Sequence, residues 1–190
     1  MEKTVSKTSA RTRSLAFCGL SIALMAVSAW ITVPLGPVPF TLQTFVMVFV
    51  ILALKPKEAL VSIGIYLVMG AIGLPVFSSM RGGISVLAGP TGGFLWGFFL
   101  GAIAAILVMK VMPSRSGKDV SAKRAFVLDL CVAVVFMVVC YACGWAWLAF
   151  SSGMSAQASF AAAVAPFILI DACKMVAAVL VAQAVRRAVH

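Results

Sequence analysis

The chain has 190 residues, of which 63% are hydrophobic and 11% are charged, and its mean hydropathy is +1.14. A soluble domain of this length needs many more polar residues to cover its surface, so the composition excludes that class. The formal net charge is +10, but the basic residues are scattered over short segments, which argues against nucleic-acid binding. We expect a single membrane domain that covers residues 1–190.

Three long apolar segments divide the chain. The segments 14–54 and 130–170 contain no charged residue, and 59–109 contains only Arg81. A single helix needs about 20 apolar residues to cross a bilayer, so each segment suits two spans. Gly, Pro and Ser clusters interrupt each segment near its middle, as is typical of loops. We predict an all-α integral membrane protein with six transmembrane helices, near residues 14–33, 40–54, 58–74, 91–112, 125–149 and 161–185.

The basic residues fall on one side of this predicted arrangement. Of the 15 lysines and arginines, all except Arg81 and Lys174 lie in the N-terminal segment 1–13, in the two connections at that side, or after the sixth span. The positive-inside rule makes that side cytoplasmic. Both termini are then cytoplasmic. We expect Asp129, near the same side, to be solvated or paired with Lys123 or Arg124.

Residues 1–29 also have the pattern of a signal peptide that ends at Val27-Ser28-Ala29. Because the uncharged segment continues to Leu54, we favour an uncleaved membrane span. The five cysteines all lie in predicted spans. Cys140 and Cys143 form a C-x-x-C pair, but no second pair or nearby histidine accompanies it, which favours packing over a metal or redox site.

Residues for catalysis are scarce. The only histidine is His190, so neither a serine nor a cysteine nucleophile has a histidine base. The sequence contains neither an H-E-x-x-H motif nor a P-loop. We therefore expect no enzyme activity, no metal and no cofactor, and any ATP-driven step requires a partner.

Two charged residues lie inside the sixth predicted span. Asp171 and Lys174 are three positions apart and share one helix face. A charge at bilayer depth costs about 2.5–3.5 kcal/mol, and such residues usually serve a site. Pro166 suits the first turn of this helix, which places Asp171 one to two turns below the outer surface. A ligand-binding pair is favoured; the alternative is an ion pair that locks helices together.

The outer connection 73–93 is rich in glycine and proline and contains Arg81, the only cation expected there. Such a backbone can approach a ligand closely; an ordinary flexible loop is the alternative. Thr91 is placed to cap the fourth span. That span continues with Gly93, Gly97 and Gly101, a stripe that favours close helix packing.

The segment 36–44 opens the second span with a proline-rich turn. It places Gln43 at membrane depth, with threonines on either side. Gln43 either contributes to a pocket or forms a hydrogen bond with another helix.

Three strings together resemble the BioY family, the biotin-binding S components of energy-coupling factor transporters. They are GPVPFTLQTF at 36–45, GLPVF at 73–77 and LAGPTGGF at 87–94, and Pro166-Phe167 with Asp171 and Lys174 completes the pattern. The resemblance implies a multi-pass protein of the bacterial plasma membrane with a high-affinity pocket open to the outside. It also implies that Asp171 and Lys174 contact biotin, that the outer loop acts as a lid, and that the chain docks on a transmembrane coupling subunit carrying two cytoplasmic ATPases.

The chemistry of biotin suits these residues. Asp171 can accept from the ureido N–H groups and Lys174 can donate to the ureido carbonyl. Arg81 is suited to hold the carboxylate. The apolar body of biotin needs walls, for which the aromatic candidates are Phe40, Phe77, Tyr141 and Trp145. The remaining candidate substrate-binding residues are Thr41, Gln43, Gly89, Thr91 and Gly92.

Small residues on the first span are candidates for docking to the coupling subunit. Members of the family commonly present Ala-x-x-x-Ala there, whereas this chain has Gly19-x-x-x-Ala23, with Ala16 and Ala26 nearby. The alternative functions are an S component for another vitamin, such as thiamine or riboflavin, a membrane-embedded enzyme, and a structural or channel-like bundle.

Overall fold

The computed structural model describes residues 2–34, 36–113 and 121–189, and within them the chain is almost entirely helical. Two short strands, β1 (Thr32–Val33) and β2 (Phe40–Thr41), form an antiparallel pair, and Ser78–Met80 form a turn of 3-10 helix. The α helices are α1 (Glu2–Trp30), α2 (Gln43–Ala53), α3 (Pro56–Ala71), α4 (Ile84–Ala88), α5 (Gly92–Val111), α6 (Ala122–Ser152), α7 (Ala156–Ala163) and α8 (Ile168–Val189).

Each predicted span overlaps one of the helices α1, α2, α3, α5, α6 and α8. Within the described residues, four helical segments are long and apolar enough to cross a membrane: Arg11–Trp30, Gly92–Val111, Ala122–Ser152 and Ile168–Ala188. Helix α2 is apolar but has only 11 residues, and α3 has 16. The all-helical, membrane-spanning class is therefore confirmed, while the count of six spans and the side on which the termini lie stay predictions.

The start of the sixth predicted span differs from the structure. Residues 161–163 are the end of α7, and 164–167 form a turn, so α8 begins only at Ile168. Pro166 thus lies before the helix and not in its first turn. Asp171 instead occupies that first turn.

Local sequence signals explain where several helices begin and end. Pro56 occupies the first turn of α3, where a missing N–H is tolerated, and Glu58 accepts from the backbone N–H of Lys55. Ser121 accepts from the N–H of Arg124 at the start of α6. Gly153 ends α6 with a φ of +62°, a conformation that glycine adopts without strain.

Helices α5 and α6 pack along the predicted glycine stripe. A Cβ at Gly93 would lie 2.2 Å from the Cβ of Trp147, and one at Gly101 would lie 2.9 Å from the carbonyl oxygen of Phe136. At Gly97 the corresponding distance to the Cα of Cys140 is 3.0 Å. Only glycine permits this approach, so the predicted packing role is confirmed.

Asp129 differs from the sequence-based expectation. Its side chain is fully buried, and it accepts from Gln183 Nε2 at 2.9 Å and from Arg186 Nη2, both on α8. It is neither solvated nor paired with the neighbouring cations of α6. A buried carboxylate requires compensating partners, and the packing of α6 on α8 supplies them. The basic residues Arg115 and Lys118 of the preceding connection lie outside the described residues.

Candidate functional site

A cavity of about 70 Å³ lies where α2, α5, α6 and α8 converge beside residues 38–41 and 77–91. Its lining is largely apolar and aromatic, with polar groups contributed mainly by the start of α2 and by α8. The lining residues are Val38, Pro39, Phe40, Thr41, Gln43, Thr44, Phe77, Ser78, Val86, Thr91, Phe94, Leu95, Phe98, Cys140, Tyr141, Ala163, Phe167, Asp171 and Lys174. An apolar enclosure with a few polar groups is typical of a small-molecule site.

The carboxylate of Asp171 lies within a network drawn from three helices. Its Oδ1 atom accepts from Lys174 Nζ at 2.7 Å and from Thr44 Oγ1 at 2.9 Å. Its Oδ2 atom accepts from the hydroxyl of Tyr141 at 2.5 Å. The side chain is 6% exposed, so these bonds compensate for its removal from water.

Lys174 is equally well satisfied. Besides Asp171, its ammonium donates to the carbonyl oxygen of Thr41 at 2.7 Å and to Thr44 Oγ1 at 3.3 Å. All three of its N–H donors are therefore used. The ammonium also lies 3.8 Å from the centre of the Phe40 ring, a cation–π contact that fixes this aromatic wall beside the charge.

Two helix N-termini converge on the ion pair. Helix α2 begins at Gln43, one residue before Thr44, and α8 begins at Ile168, so Asp171 is in its first turn. The positive end of a helix dipole stabilises a nearby carboxylate. Both helix ends therefore lie beside the hydrogen bonds that hold this carboxylate.

A second polar network runs behind the cavity wall. Gln43 Nε2 donates to the hydroxyl of Tyr66 at 2.7 Å, and that hydroxyl donates to the carbonyl oxygen of Val76 at 2.9 Å. Thr41 Oγ1 donates to Gln43 Oε1 at 3.3 Å. The network connects the start of α2 to the segment after α3, at Val76. Both alternatives raised for Gln43 therefore apply, since it lines the cavity and bonds to another helix.

Phe77 is the most tightly held aromatic wall. It is fully buried and contacts Tyr66 edge to face, with ring centres 5.6 Å apart. The ring lies over Gly70, where a Cβ would come within 2.0 Å of Phe77 Cζ. The following residues Ser79 and Met80 both have positive φ, which marks a strained turn.

The structure brings eight of the predicted substrate-binding residues together around the cavity: Phe40, Thr41, Gln43, Phe77, Thr91, Tyr141, Asp171 and Lys174. Thr91 is at the N-cap position of α5, but its side chain forms no capping bond, so the predicted capping role is wrong. It lines the cavity.

Four predicted site residues do not line this cavity. Arg81 and Gly89 border an adjoining groove that shares Val86 and Thr91 with it. Arg81 is exposed, and its Nε donates to the carbonyl oxygen of Ser78 at 3.3 Å.

The other two have packing roles. A Cβ at Gly92 would lie 1.9 Å from the carbonyl oxygen of Leu87, so this glycine permits a tight turn. Trp145 donates to the carbonyl oxygen of Ala156 at 2.9 Å and contacts Phe160 edge to face, so it fastens α7 to α6 and does not form a cavity wall.

The sequence reasoning missed several lining residues. Thr44 bridges both members of the ion pair, and its spacing of three from Thr41 was the available signal. Phe94 and Phe98 are four positions apart on α5 and present one aromatic face. Cys140 is a buried thiol in the wall, and all five cysteines, each within the described segments, are free.

The predicted docking residues divide into two groups. Ala16, Gly19 and Ala23 are exposed on α1, and a Cβ at Gly19 would meet nothing within 4 Å. Ala26 is only 7% exposed and belongs to the core. The turn of the helix rotates it inward, away from the exposed face of Ala16, Gly19 and Ala23.

Comparison with known proteins identifies the family. The model of the BioY family matches residues 1–190. The chain belongs to the BioY family. It is 36% identical over 175 residues to the biotin transporter BioY of Thermotoga maritima, covering 92% of this chain and 96% of that protein. It is 35% identical over 173 residues to a probable biotin transporter BioY of Pyrococcus horikoshii, covering 91% of this chain and 96% of that protein.

A third relative, the biotin transporter BioY of Rhizobium etli, is 32% identical over 177 residues and covers 92% of this chain and 93% of its own length. These relatives are transporters, which confirms the expectation that the chain is not an enzyme. The fold resembles a crystal structure of the S-component for biotin from an ECF-type ABC transporter, with a TM-score of 0.82 and 22% sequence identity. The match covers 94% of this chain and 93% of that chain.

Proposed function

We propose that this BioY-family chain is the substrate-binding component for biotin uptake, which captures biotin from outside in the cavity described above. One observation carries the proposal: the buried Asp171–Lys174 pair borders an aromatic enclosure of suitable chemistry. The chain delivers biotin together with an ATP-driven module, composed of a transmembrane coupling subunit and two cytoplasmic ATPases. Family membership and the names of its relatives support this function.

The hydrogen-bonding capacity of the site matches a ureido ring. Asp171 Oδ2 accepts one bond, from Tyr141, and a carboxylate oxygen can accept about two. It therefore has capacity for a ureido N–H. Phe40, Phe77 and Tyr141 then enclose the thioether ring and the chain.

Binding requires one exchange at Lys174. All three of its donors are committed, so a ligand carbonyl takes the place of either the Thr41 carbonyl or Thr44 Oγ1. The cavity also has to widen, because about 70 Å³ is far below the roughly 300–1,000 Å³ that is usual for small-molecule pockets. Displacement of Thr41 on β2 accomplishes both changes, since this strand belongs to a two-stranded hairpin and not to the helical core.

The groove beside the cavity supports a role for Arg81. The groove and the cavity share Val86 and Thr91, so an elongated ligand can extend from the ion pair toward the guanidinium. We assign the biotin carboxylate to Arg81 on this basis. The adjoining Gly89 contributes a backbone wall with no side chain in the way.

The proposed topology has six spans, with both termini in the cytoplasm of a bacterial cell and the cavity toward the outside. The exposed small residues Ala16, Gly19 and Ala23 on α1 form the proposed docking face for the coupling subunit. Helices of a partner approach most closely where side chains are small. Replacing Gly19 with Leu should impair co-purification with the coupling subunit and leave biotin binding by the isolated chain unchanged.

Isothermal titration of the purified chain in detergent tests the function. We expect biotin to bind with a Kd in the nanomolar range and thiamine and riboflavin to show no binding. Binding of either of these vitamins without biotin binding would favour an S component of different specificity. Absence of binding by all three would contradict the proposal.

A further inference from the structure

Tyr66 lies directly behind the cavity wall. It is fully buried on α3 and is not among the lining residues, yet its hydroxyl contacts Gln43, which does line the cavity. Its ring packs edge to face against Phe77, a second lining residue. Tyr66 therefore touches two walls of the site from behind.

The hydrogen-bond network determines which way the amide of Gln43 points. The carbonyl oxygen of Val76 can only accept, so the single phenolic proton of Tyr66 is used for it. The hydroxyl oxygen can then only accept from Gln43, which must present its NH₂ group to Tyr66. Gln43 Oε1 is left on the side of Thr41, a lining residue, where it accepts from Thr41 Oγ1.

The opposite orientation is strongly disfavoured. With Oε1 toward Tyr66, two carbonyl oxygens would compete for one proton, and one of them would be left buried without a donor. An unsatisfied buried acceptor costs about 1–3 kcal/mol. A Phe at position 66 would remove this constraint, since it neither accepts nor donates.

We propose that Tyr66 is a positioning residue that sets the hydrogen-bond specificity of the cavity by holding the Gln43 amide with its carbonyl oxygen toward the ligand. The inference rests on the proposed biotin-binding function and deepens it. Gln43 Oε1 and Asp171 Oδ2 each accept one bond from the protein and have capacity for one more. The cavity thus offers two acceptors to the two N–H groups of a cyclic urea.

A double-mutant cycle with two ligands tests the inference. Biotin affinity is measured by titration for the wild type, Tyr66→Phe, Gln43→Met and the double variant. The same four proteins are titrated with a biotin derivative that carries a methyl group on one ureido nitrogen. Phe retains the ring contact with Phe77, and Met retains the approximate shape of Gln without its amide.

We expect each single variant to bind biotin about tenfold more weakly, as for the loss of one buried hydrogen bond. The double variant should bind no more weakly than Gln43→Met, because Tyr66 acts through Gln43. The preference for biotin over its N-methyl derivative should fall in both single variants, an effect that general loosening of the fold would not produce. If Tyr66→Phe does not fold, the Gln43→Met result still decides against the inference when the preference is unchanged.

The inference would be overturned if Tyr66→Phe lowered biotin affinity by the same factor in the wild type and in Gln43→Met. Tyr66 would then act only through the segment after α3, at Val76. An unchanged preference in Gln43→Met would also overturn it. In both cases the wild type still binds biotin, so the proposed function stands. Absence of biotin binding by the wild type overturns the proposed function and this inference together.

Discussion

Helix α8 contributes to two ion pairs, each with a buried carboxylate, that differ in their surroundings. Near its start, Lys174 and Asp171 lie three positions apart on the same helix, and both border the cavity. Near its end, Arg186 pairs with Asp129 of α6, and neither residue lines either cavity described above. The first pair is local to one helix, whereas the second joins two helices.

This difference distinguishes a binding site from a structural connection. The Asp171–Lys174 pair, which is the outer pair in the proposed topology, gains nothing for helix association from its own salt bridge, because both partners are on α8. Its bonds to Thr41, Thr44 and Tyr141 instead gather several elements around a space for a ligand. The Arg186–Asp129 pair, the inner pair in that topology, provides a hydrogen-bonding partner for a buried carboxylate in the α6–α8 contact. Mutations of the outer pair should therefore weaken biotin binding more than they lower stability. Mutations of the inner pair should lower stability more than they weaken binding.

The largest effect should come from the outer pair. Asp171→Asn and Lys174→Met each remove a charged hydrogen-bonding partner of the proposed ligand, and such bonds are worth about 1.5–3 kcal/mol. We expect biotin affinity to fall by about 10- to 150-fold, measured by titration. Full biotin affinity in either variant would contradict the site assignment.

The inner pair should affect stability more than binding. Arg186→Met removes one charged hydrogen-bonding partner of the buried Asp129 carboxylate, which should lower the free energy of unfolding by about 1.5–3 kcal/mol. Thermal unfolding in detergent measures this loss. The matched control is the double variant Asp129→Leu with Arg186→Met, which should recover most of the stability. If folded Arg186→Met binds biotin with a Kd that differs from the wild-type value by more than about threefold, the inner pair also affects binding and the proposed division of roles is contradicted.

Each pair has a neutral partner that allows a finer comparison. Tyr141→Phe removes one donor to Asp171 and should weaken biotin binding by about tenfold, with little change in unfolding. Gln183→Met removes one donor to Asp129 and should lower the free energy of unfolding by about 1–2 kcal/mol, with unchanged binding. Titration and thermal unfolding of both variants provide the four values. The opposite pattern would show that the two ends have been assigned the wrong roles.

The smallest effect should come from Arg81, a cation that is exposed and not buried. Arg81→Ala should weaken biotin binding about three- to tenfold, because exposed charges contribute about 0.2–1 kcal/mol and a charged hydrogen bond contributes more. The methyl ester of biotin, which lacks the carboxylate, should bind the wild type and Arg81→Ala equally. If Arg81→Ala lowers the affinity for the ester as much as the affinity for biotin, or more, the carboxylate is held elsewhere.

Composition and charge were sufficient to predict the helical membrane class and the approximate positions of six helices, α1, α2, α3, α5, α6 and α8, because apolar length and helix-breaking residues are local properties. They were also sufficient for the ion pair on α8, since charge is so costly in a membrane. They failed for Asp129, whose partner Arg186 is 57 positions away and reaches it only through the packing of α6 on α8. Trp145 was misplaced for a similar reason, as its neighbours on α7 depend on the turn at Gly153.

The close contact of α5 with α6 has a mechanical consequence. Backbone atoms touch where side chains would otherwise separate the helices, at Gly97 and Gly101. Sliding one helix along the other would force these backbones together, so we expect the two helices to move as a rigid body. They supply Phe94, Phe98 and Tyr141 to the cavity, which gives the site one stiff wall. The opposite side of the cavity is lined by residues 38–41 and by residues of the segment 77–91. We expect a ligand to enter and leave on this side.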